Sequence, residues 1–256
     1  MPAGNELTYV ARCDALLRRA SASSFLCVWS AARAMSIPLP TRIERSRVVD
    51  VGVHAPSSPP EGRGVRGHSL ALDETDIQIW NGLRVTSPEE TWCSLGNRLT
   101  IPELVAAGDY LIHHDLPIAI RESLERRVTK WVSKRGVRKL RYALGLLSER
   151  SESPQESVLR VIVLEAGFRG LEVNYPIRTS GGYSYRADLA FPLHKVIVEY
   201  QSAFHETPES FRVDMTRISR LEADDWKIIQ LNKDDVRNKS ELVSRIGRVL
   251  GRRPTF

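Results

Sequence analysis

The spacing of apolar and polar residues predicts a first half that opens with a helix and continues in strands. Residues 7–35 carry apolar side chains at roughly helical spacing. Residues 47–54 (RVVDVGVH) alternate polar and apolar positions, as a half-buried strand does. A loop rich in Pro and Gly, residues 55–67, follows that strand. Residues 67–72 and 76–85 are predicted as further strands.

Three helices are predicted to complete the first half. One starts at Thr86-Ser87-Pro88-Glu89, with a capping hydroxyl followed by Pro. The next covers residues 101–114 and opens with a capping-box pattern, Thr100 followed by Glu103. The third covers residues 118–132, and its predicted apolar face is Ile120, Leu124, Val128 and Trp131.

The second half shows a different order of elements, α-β-β-β-α-β-α. The polar run at 148–153 (SERSES) predicts the boundary, so we expect domains at residues 1–150 and 151–256. Thr179-Ser180-Gly181-Gly182 is predicted as a hairpin turn. The predicted elements are a helix at 154–166, strands at 171–177, 183–191 and 195–201, a helix at 208–223, a strand at 226–231 and a helix at 240–250. The pattern predicts an α/β fold with a mixed sheet, preceded by an α+β domain.

The net charge of +6 favours an anionic partner, most often nucleic acid. Residues 121–150 hold ten Lys or Arg and three Asp or Glu, a net charge of +7, whereas residues 151–256 carry only +1. The basic helices at 118–142 are therefore the first candidates for a DNA-binding surface. A solvated helix face explains the same charge, and both interpretations stay open.

Cysteine use and hydropathy predict a cytoplasmic protein with no membrane partner. Cys13, Cys27 and Cys93 are scattered and odd in number, which disfavours a disulfide framework or a zinc site. The first residues show no secretion signal pattern. No apolar run approaches the length that a membrane-spanning helix needs.

Two acidic residues interrupt apolar strands in the second half. Asp188 lies in YRADLAF and Glu199 in VIVEYQ, with a turn at PLH between them. A buried carboxylate is costly unless it is paired or bound to a metal. A hairpin of this length can bring the two carboxylates together, where Mg²⁺ would relieve their repulsion. The hypothesis fails if they face opposite sides of the sheet, or if an arginine holds each of them.

Gln201 is predicted to share a sheet face with Glu199, because strand side chains alternate with a period of two. Asp188, Glu199 and Gln201 would then form one surface, as metal-assisted phosphodiester hydrolysis requires.

These motifs resemble the PD-(D/E)-x-K superfamily of restriction-like nucleases. They resemble more closely its very-short-patch-repair endonuclease-like group. The likeness covers about residues 151–238 and is carried, in order, by Glu156, Arg186-Ala187-Asp188-Leu189-Ala190, Glu199-Tyr200-Gln201, Phe204-His205, Asp214-Met215-Thr216-Arg217 and Trp226-Lys227-Ile228-Ile229. It implies a restriction-endonuclease-like core and a DNA endonuclease that depends on Mg²⁺ or Mn²⁺, in DNA repair or phage defence.

The resemblance also implies roles for single residues. Asp188, Glu199 and Glu156 would bind the metal, Gln201 would position the nucleophile, and His205 would be an auxiliary acid or base. Gln201 departs from the pattern, since the superfamily often has Lys there and this group often has Asp. An amide orients a water but supplies no charge. We expect DNA contacts from Arg126, Arg127, Lys130, Lys134, Arg135, Arg138, Lys139, Arg217 and Arg220.

Simpler explanations exist for most of these residues. Glu156 completes a capping-box pattern with Ser153. Asp188 could pair with Arg186, and Glu199 could face water on an edge strand. His205 could be an ordinary loop histidine. Asp214 and Arg217 have the spacing of an i,i+3 ion pair.

The first half resembles abortive-infection-type antitoxin regulators through residues 30–40, 82–92 and 104–112. That resemblance implies a DNA-linked or defence-linked role. The alternative to a nuclease is therefore an inactive, DNA-binding regulator on a nuclease-like scaffold. RNA is a weaker alternative substrate.

Overall fold

The computed structural model describes residues 8–131, 135–201 and 208–252. The chain divides into two units, Met1–Leu147 and Ser148–Phe256, and the division falls at the start of the SERSES run. Each unit combines helices with a mixed sheet, so the predicted α/β class with mixed sheets is confirmed. Within the described ranges, no helix is long and apolar enough to cross a membrane.

The first unit is built on a five-stranded sheet in the order β3-β2-β1-β5-β4. The β1–β2 and β4–β5 pairs are antiparallel, and the β2–β3 and β1–β5 pairs are parallel. The strands are β1 (Phe25–Leu26), β2 (Val49–His54), β3 (Val65–Leu70), β4 (Ile77–Trp80) and β5 (Leu83–Thr86). The helices are α1 (Tyr9–Arg19), α2 (Val28–Ala34), α3 (Thr41–Glu44), α4 (Pro88–Leu95), α5 (Ile101–Leu111), α6 (Arg121–Lys130) and α7 (Val137–Leu146).

Two segments of this unit differ from the sequence prediction. The helix expected over residues 7–35 is two helices, because the chain turns at Ser21–Ser24 and adds β1 before α2. The strand expected over residues 76–85 is the hairpin β4–β5. Its turn is Asn81-Gly82, both at positive φ. Asn-Gly is the strongest short hairpin signal, so the sequence did contain the information.

The predicted helix starts are confirmed. The Ser87 hydroxyl accepts the Glu90 N–H at the start of α4, and Thr100 and Glu103 form the capping box of α5. On α6, Leu124 and Val128 are buried as predicted. Ile120 is 54% exposed, because it precedes the helix as its N-cap residue instead of lying on the apolar face.

The second unit follows the predicted order of elements. A four-stranded sheet runs β6-β7-β8-β9, with antiparallel β6–β7 and β7–β8 pairs and a parallel β8–β9 pair. The strands are β6 (Glu172–Arg178), β7 (Ser184–Phe191), β8 (Val196–Tyr200) and β9 (Lys227–Leu231). The helices are α8 (Pro154–Glu165), α9 (Pro208–Ala223), α10 (Lys233–Arg237) and α11 (Lys239–Leu250).

Helices cover both faces of this second sheet. On one face, Leu159 of α8 and Ile246 of α11 pack with Leu189 and Val198. On the other, Leu221 of α9 packs with Ala190 and Ile197. Side chains of β7 and β8 are therefore buried on either side of the sheet. A polar side chain in these strands must find a partner inside the unit.

Candidate active site

The register of β7 and β8 brings the two predicted acidic residues together. Leu189 lies opposite Val198, and Phe191 lies opposite Val196. One further step of the same register places Asp188 opposite Glu199. Opposite residues of an antiparallel pair point to the same face. The first condition on the site, a shared face, is therefore met. β8 lies between β7 and β9, so Glu199 is not on an edge strand, and it is only 6% exposed.

Asp188 is the electrostatic centre of the candidate site. Burial raises the pKa of its carboxyl group, the charges of Glu156 and Glu199 raise it further, and the result is about 6. The backbone N–H of Tyr200 and the charge of Arg217 oppose this rise. Carboxylates from α8, β7 and β8 therefore act on one another across a partly dehydrated space.

Glu156 caps its helix, and its charge also acts on Asp188. Its backbone N–H donates to the Ser153 hydroxyl, as the capping pattern predicts. Its carboxylate accepts the N–H of Glu152 at 3.2 Å instead of the N–H of Ser153. Since its charge also raises the pKa of Asp188, the capping and site interpretations are compatible.

An arginine holds Glu199. The Arg217 guanidinium donates to both carboxylate oxygens of Glu199, at 2.8 and 2.6 Å, and it also pairs with Asp214 at 2.9 Å. The hydrogen bond to Glu199 is the main reason that the pKa of Arg217 is raised. The i,i+3 pair with Asp214 is confirmed, whereas no local spacing indicates the pair with Glu199. Arg217 is thereby removed from the expected DNA contacts.

Asp188 is not held in this way within the described residues. Arg186, the partner that a simple ion pair would need, bonds to Glu152 instead. Among the described residues, an arginine therefore holds Glu199 but not Asp188, so the second condition for rejecting the metal hypothesis is not met.

The oxygen donors that fit a divalent cation are Asp188 and Glu156. A cation would relieve the repulsion that raises the pKa of Asp188, and hard cations prefer carboxylate oxygens. Glu199 joins that set only if Arg217 releases it. Within the described residues, the one group that brings three ligand atoms within 4.8 Å of each other is His113, His114 and Asp115 in the first unit. The three carboxylates of the candidate site are therefore farther apart than a closed metal site requires.

The remaining predicted catalytic residues follow β8 in the sequence. Gln201 is half-buried, and its N–H donates to the Leu231 carbonyl at 2.7 Å, which extends the β8–β9 pairing by one residue. Alternation keeps it on the face of Glu199. Phe204 and His205 lie outside the described residues, so the role expected for His205 stays a prediction.

Arg220 lies against two tyrosines that the sequence interpretation did not single out. Its guanidinium is 3.5 Å from the ring centre of Tyr183, and it donates to the Tyr185 hydroxyl at 3.3 Å. Tyr183 is 44% exposed. The Tyr-Ser-Tyr alternation just before Asp188 is the sequence signal that could have identified these rings.

The basic residues predicted in the first unit fall into two groups. Arg126, Lys130, Arg135 and Arg138 are exposed, as a DNA-binding face requires. Arg127 is not available, because its guanidinium pairs with Asp76 at 3.0 Å and with Glu90, and its side chain is only 14% exposed.

Lys139 is half-buried, and its ammonium group donates to the Leu99 carbonyl at 2.7 Å. That bond uses one of its three donors. Lys134 lies outside the described residues.

Comparison with known proteins gives relatives but no activity. The chain is 30% identical over 178 residues to two uncharacterized proteins of Mycobacterium tuberculosis, one from strain CDC 1551 / Oshkosh and one from strain ATCC 25618 / H37Rv. The match covers 69% of this chain but only 65% of each relative, just under two thirds of its length. No family profile and no solved structure matches the chain. Since 178 residues exceed the length of either unit, the likeness includes parts of both.

Proposed function

We propose that this protein is a divalent-metal-dependent endonuclease that hydrolyses phosphodiester bonds in DNA. The observation that carries the proposal is that Asp188 and Glu199 lie opposite each other on one sheet face, partly buried, and that the charge of Glu156 from a third element also acts on Asp188. A fold stabilised only by packing gains nothing from such crowding, since buried like charges destabilise one another. Raised carboxyl pKa values of this kind are common at catalytic sites.

The residues have separate tasks in this proposal. Bound Mg²⁺ or Mn²⁺ would supply a water of lowered pKa and would offset charge on the phosphate. Asp188 and Glu156 would hold the cation, and the Gln201 amide would orient the attacking water. Arg217 sets the availability of Glu199. The likeness to restriction-like nucleases assigns the same positions, and the free, buried cysteines fit the cytoplasm as its location.

Conversion of a supercoiled plasmid to nicked or linear DNA, with Mg²⁺ or Mn²⁺, tests the proposal. The wild type is expected to cleave. Asp188→Asn is expected to lose at least about a hundredfold in rate, because even the outer partners of metal ligands contribute up to about that factor. Glu199→Gln tests whether Glu199 is a metal ligand or a structural residue. Loss of a ligand should weaken Mg²⁺ binding, whereas loss of a structural charge should change only stability.

Asp225→Asn is the matched control for these carboxylates. Asp225 has a positive φ of 65°, which Asn tolerates, and its side chain is 89% exposed. This variant should cleave at the wild-type rate. If Asp188→Asn cleaves as well as Asp225→Asn, the nuclease assignment to this site is wrong.

The second candidate is a DNA-binding regulator without catalysis. The bidentate pair of Arg217 with Glu199 favours it, because the arginine occupies the carboxylate that a metal would need. Gln201, where related nucleases often carry Lys, favours it too. Tight DNA binding, with no cleavage and no Mg²⁺ binding by calorimetry, would establish the regulator in place of the enzyme.

A further inference from the structure

A cleft lined by arginines belongs to the first unit, whereas the acidic site belongs to the second. It has a volume of about 490 Å³ and is formed by the start of α1, by α2 and by the segment around residues 44–47. Its charged lining is Arg12, Arg33, Arg45, Arg47 and Glu44. A second cavity of about 110 Å³ shares Tyr9, Arg33 and Ser46 with it, so the two are neighbours. We call this surface the arginine cleft.

The arginine cleft carries a strong positive charge. Among the lining residues, the guanidinium groups of Arg12, Arg33 and Arg45 outnumber the one carboxylate, that of Glu44. Arginine stays protonated at every physiological pH, so this charge is permanent. Planar guanidinium groups suit phosphate oxygens, to which they can donate in pairs.

Arg33 is fixed in place without being neutralised. Its guanidinium lies 3.2 Å from the ring centre of Tyr9 and donates to the Ser46 carbonyl at 2.6 Å. Neither partner has a net charge, because burial raises the pKa of Tyr9 to about 12 and keeps the phenol protonated. The Tyr9 hydroxyl in turn donates to the Val48 carbonyl at 3.1 Å, which holds the ring. Because the fold already orders the Arg33 side chain, less conformational entropy is lost when an anion binds.

The acidic groups beside the cleft already have other partners. Asp50 is buried and bonds to His68 at 2.8 Å, with Arg66 at 3.6 Å. Arg42 of the smaller cavity pairs with Glu103. These pairs cancel their own charges, so Asp50 and Glu103 do not offset the charges of Arg12, Arg33 and Arg45.

We propose that the arginine cleft binds phosphate groups of a nucleic-acid backbone. A backbone fits better than a free nucleotide for two reasons. Arg33 covers a face of Tyr9 on which a base would otherwise stack, and Arg45 is exposed at the rim, where an extended ligand can reach it. The choice of DNA as the nucleic acid rests on the proposed function, but the phosphate chemistry does not.

Fluorescence anisotropy of a labelled DNA duplex with the full chain tests this site. The buffer contains EDTA, so binding is measured without cleavage. The double variant Arg12→Gln/Arg45→Gln is expected to bind at least tenfold more weakly. The slope of log K against log[salt] should fall in magnitude by about 0.9 for each phosphate contact removed, or about two units.

Arg18→Gln/Arg237→Gln is the matched control, because it removes the same total charge outside the cleft. Both side chains are mostly exposed, at 77% and 68%. This control should keep nearly wild-type affinity. Arg33→Lys keeps the charge but loses the planar group that lies on Tyr9. It should weaken binding and leave the salt slope almost unchanged. Circular dichroism checks that each variant is folded.

Two results would overturn the inference. One is a double variant that binds duplex as the charge-matched control does. The other is ATP or pyrophosphate that competes as well as duplex at equal phosphate concentration, which would make the cleft a small-anion site. A wild type that binds through the cleft but never cleaves overturns only the nuclease proposal. A chain that cleaves while the double variant binds normally overturns only the cleft.

Discussion

At the scale of single residues, Asp188 should make stability depend on pH. Its pKa is raised from 3.8 to about 6, so the folded state holds the proton more tightly than the unfolded state. Stability is then highest below pH 3.8 as far as this group is concerned, and it falls as the pH rises through about 6. Asp188→Asn removes this penalty, and its amide oxygen still accepts the Tyr200 N–H. At pH 7.5 we expect a gain of about 1–2 kcal/mol, discounted for partial exposure.

Urea unfolding of Asp188→Asn and wild type between pH 3.5 and 8 checks this expectation. The gain should shrink below pH 6 and vanish near pH 4. Asp225→Asn, an exposed carboxylate, should show no such trend. Added Mg²⁺ should stabilise the wild type at pH 7.5 but not Asp188→Asn, because a ligand that binds only the folded state stabilises it. A gain that does not depend on pH would contradict the assigned charge crowding.

Arg217 should matter more for stability than any exposed arginine. Arg217→Met leaves Glu199 buried and unpaired, which costs about 3–5 kcal/mol in comparable buried pairs. Glu199→Gln/Arg217→Met should recover a large part of that loss, because no uncompensated charge remains. Arg237→Met is the control, since Arg237 pairs with Asp234 on the surface and such pairs contribute about 0–1 kcal/mol. Equal losses for the two single variants would disprove the buried pair.

The site was predictable only where it depends on local spacing. Asp188 and Glu199 could be placed side by side because one hairpin separates them and strand alternation has a fixed period. Arg217 could be matched with Asp214 at i,i+3 but not with Glu199, 18 residues away on another element. Arg127 shows the same limit, because its partners Asp76 and Glu90 belong to distant segments. A charge in a sequence does not reveal whether tertiary structure has already paired it.

At the scale of secondary structure, α8 presents Glu156 to the site, so its start should be a sensitive point. The Ser153 hydroxyl accepts the Glu156 N–H at 3.1 Å. Ser153→Ala removes this cap and should cost about 1 kcal/mol. Ser219→Ala, at an exposed position inside α9, should cost nothing, because Ala favours a helix interior. Chemical denaturation compares the two variants, and equal stabilities would show that the cap does not hold the helix.

Helices that begin with a capping residue and a first-turn proline were predicted well. The segment without such signals, residues 7–35, was not. α4, α5 and α8 each follow a capping residue and carry a proline in the first turn. The apolar spacing and the capping signals therefore predicted the same helix starts. The predicted helix over residues 7–35 was wrong because its apolar spacing continued through a serine-rich turn. The bend there comes from tertiary pairing of β1 with β2 and β5, which no local pattern encodes.

At the scale of the whole molecule, charge and acidity are divided between the units. Residues 1–147 carry a net charge of +5, whereas residues 148–256 carry +1 and contain the acidic candidate site. A site that gathers carboxylates repels DNA when no cation is bound, so it gains from a separate basic surface that supplies affinity. In the proposed function, the arginine cleft and the exposed basic residues of α6 and α7 would provide such surfaces in the first unit.

This division predicts how the activities separate when the units are made independently. Each unit has its own sheet and buried residues, so residues 1–147 and 148–256 should each fold alone, as circular dichroism can verify. In anisotropy with EDTA, residues 1–147 should bind duplex within about threefold of the full chain, with a similarly steep salt slope, because phosphate contacts dominate affinity. Residues 148–256 should bind DNA at least tenfold more weakly but retain Mg²⁺ binding by calorimetry. Full DNA affinity in residues 148–256 would show that the acidic unit recognises its substrate unaided and that the basic first unit has another task.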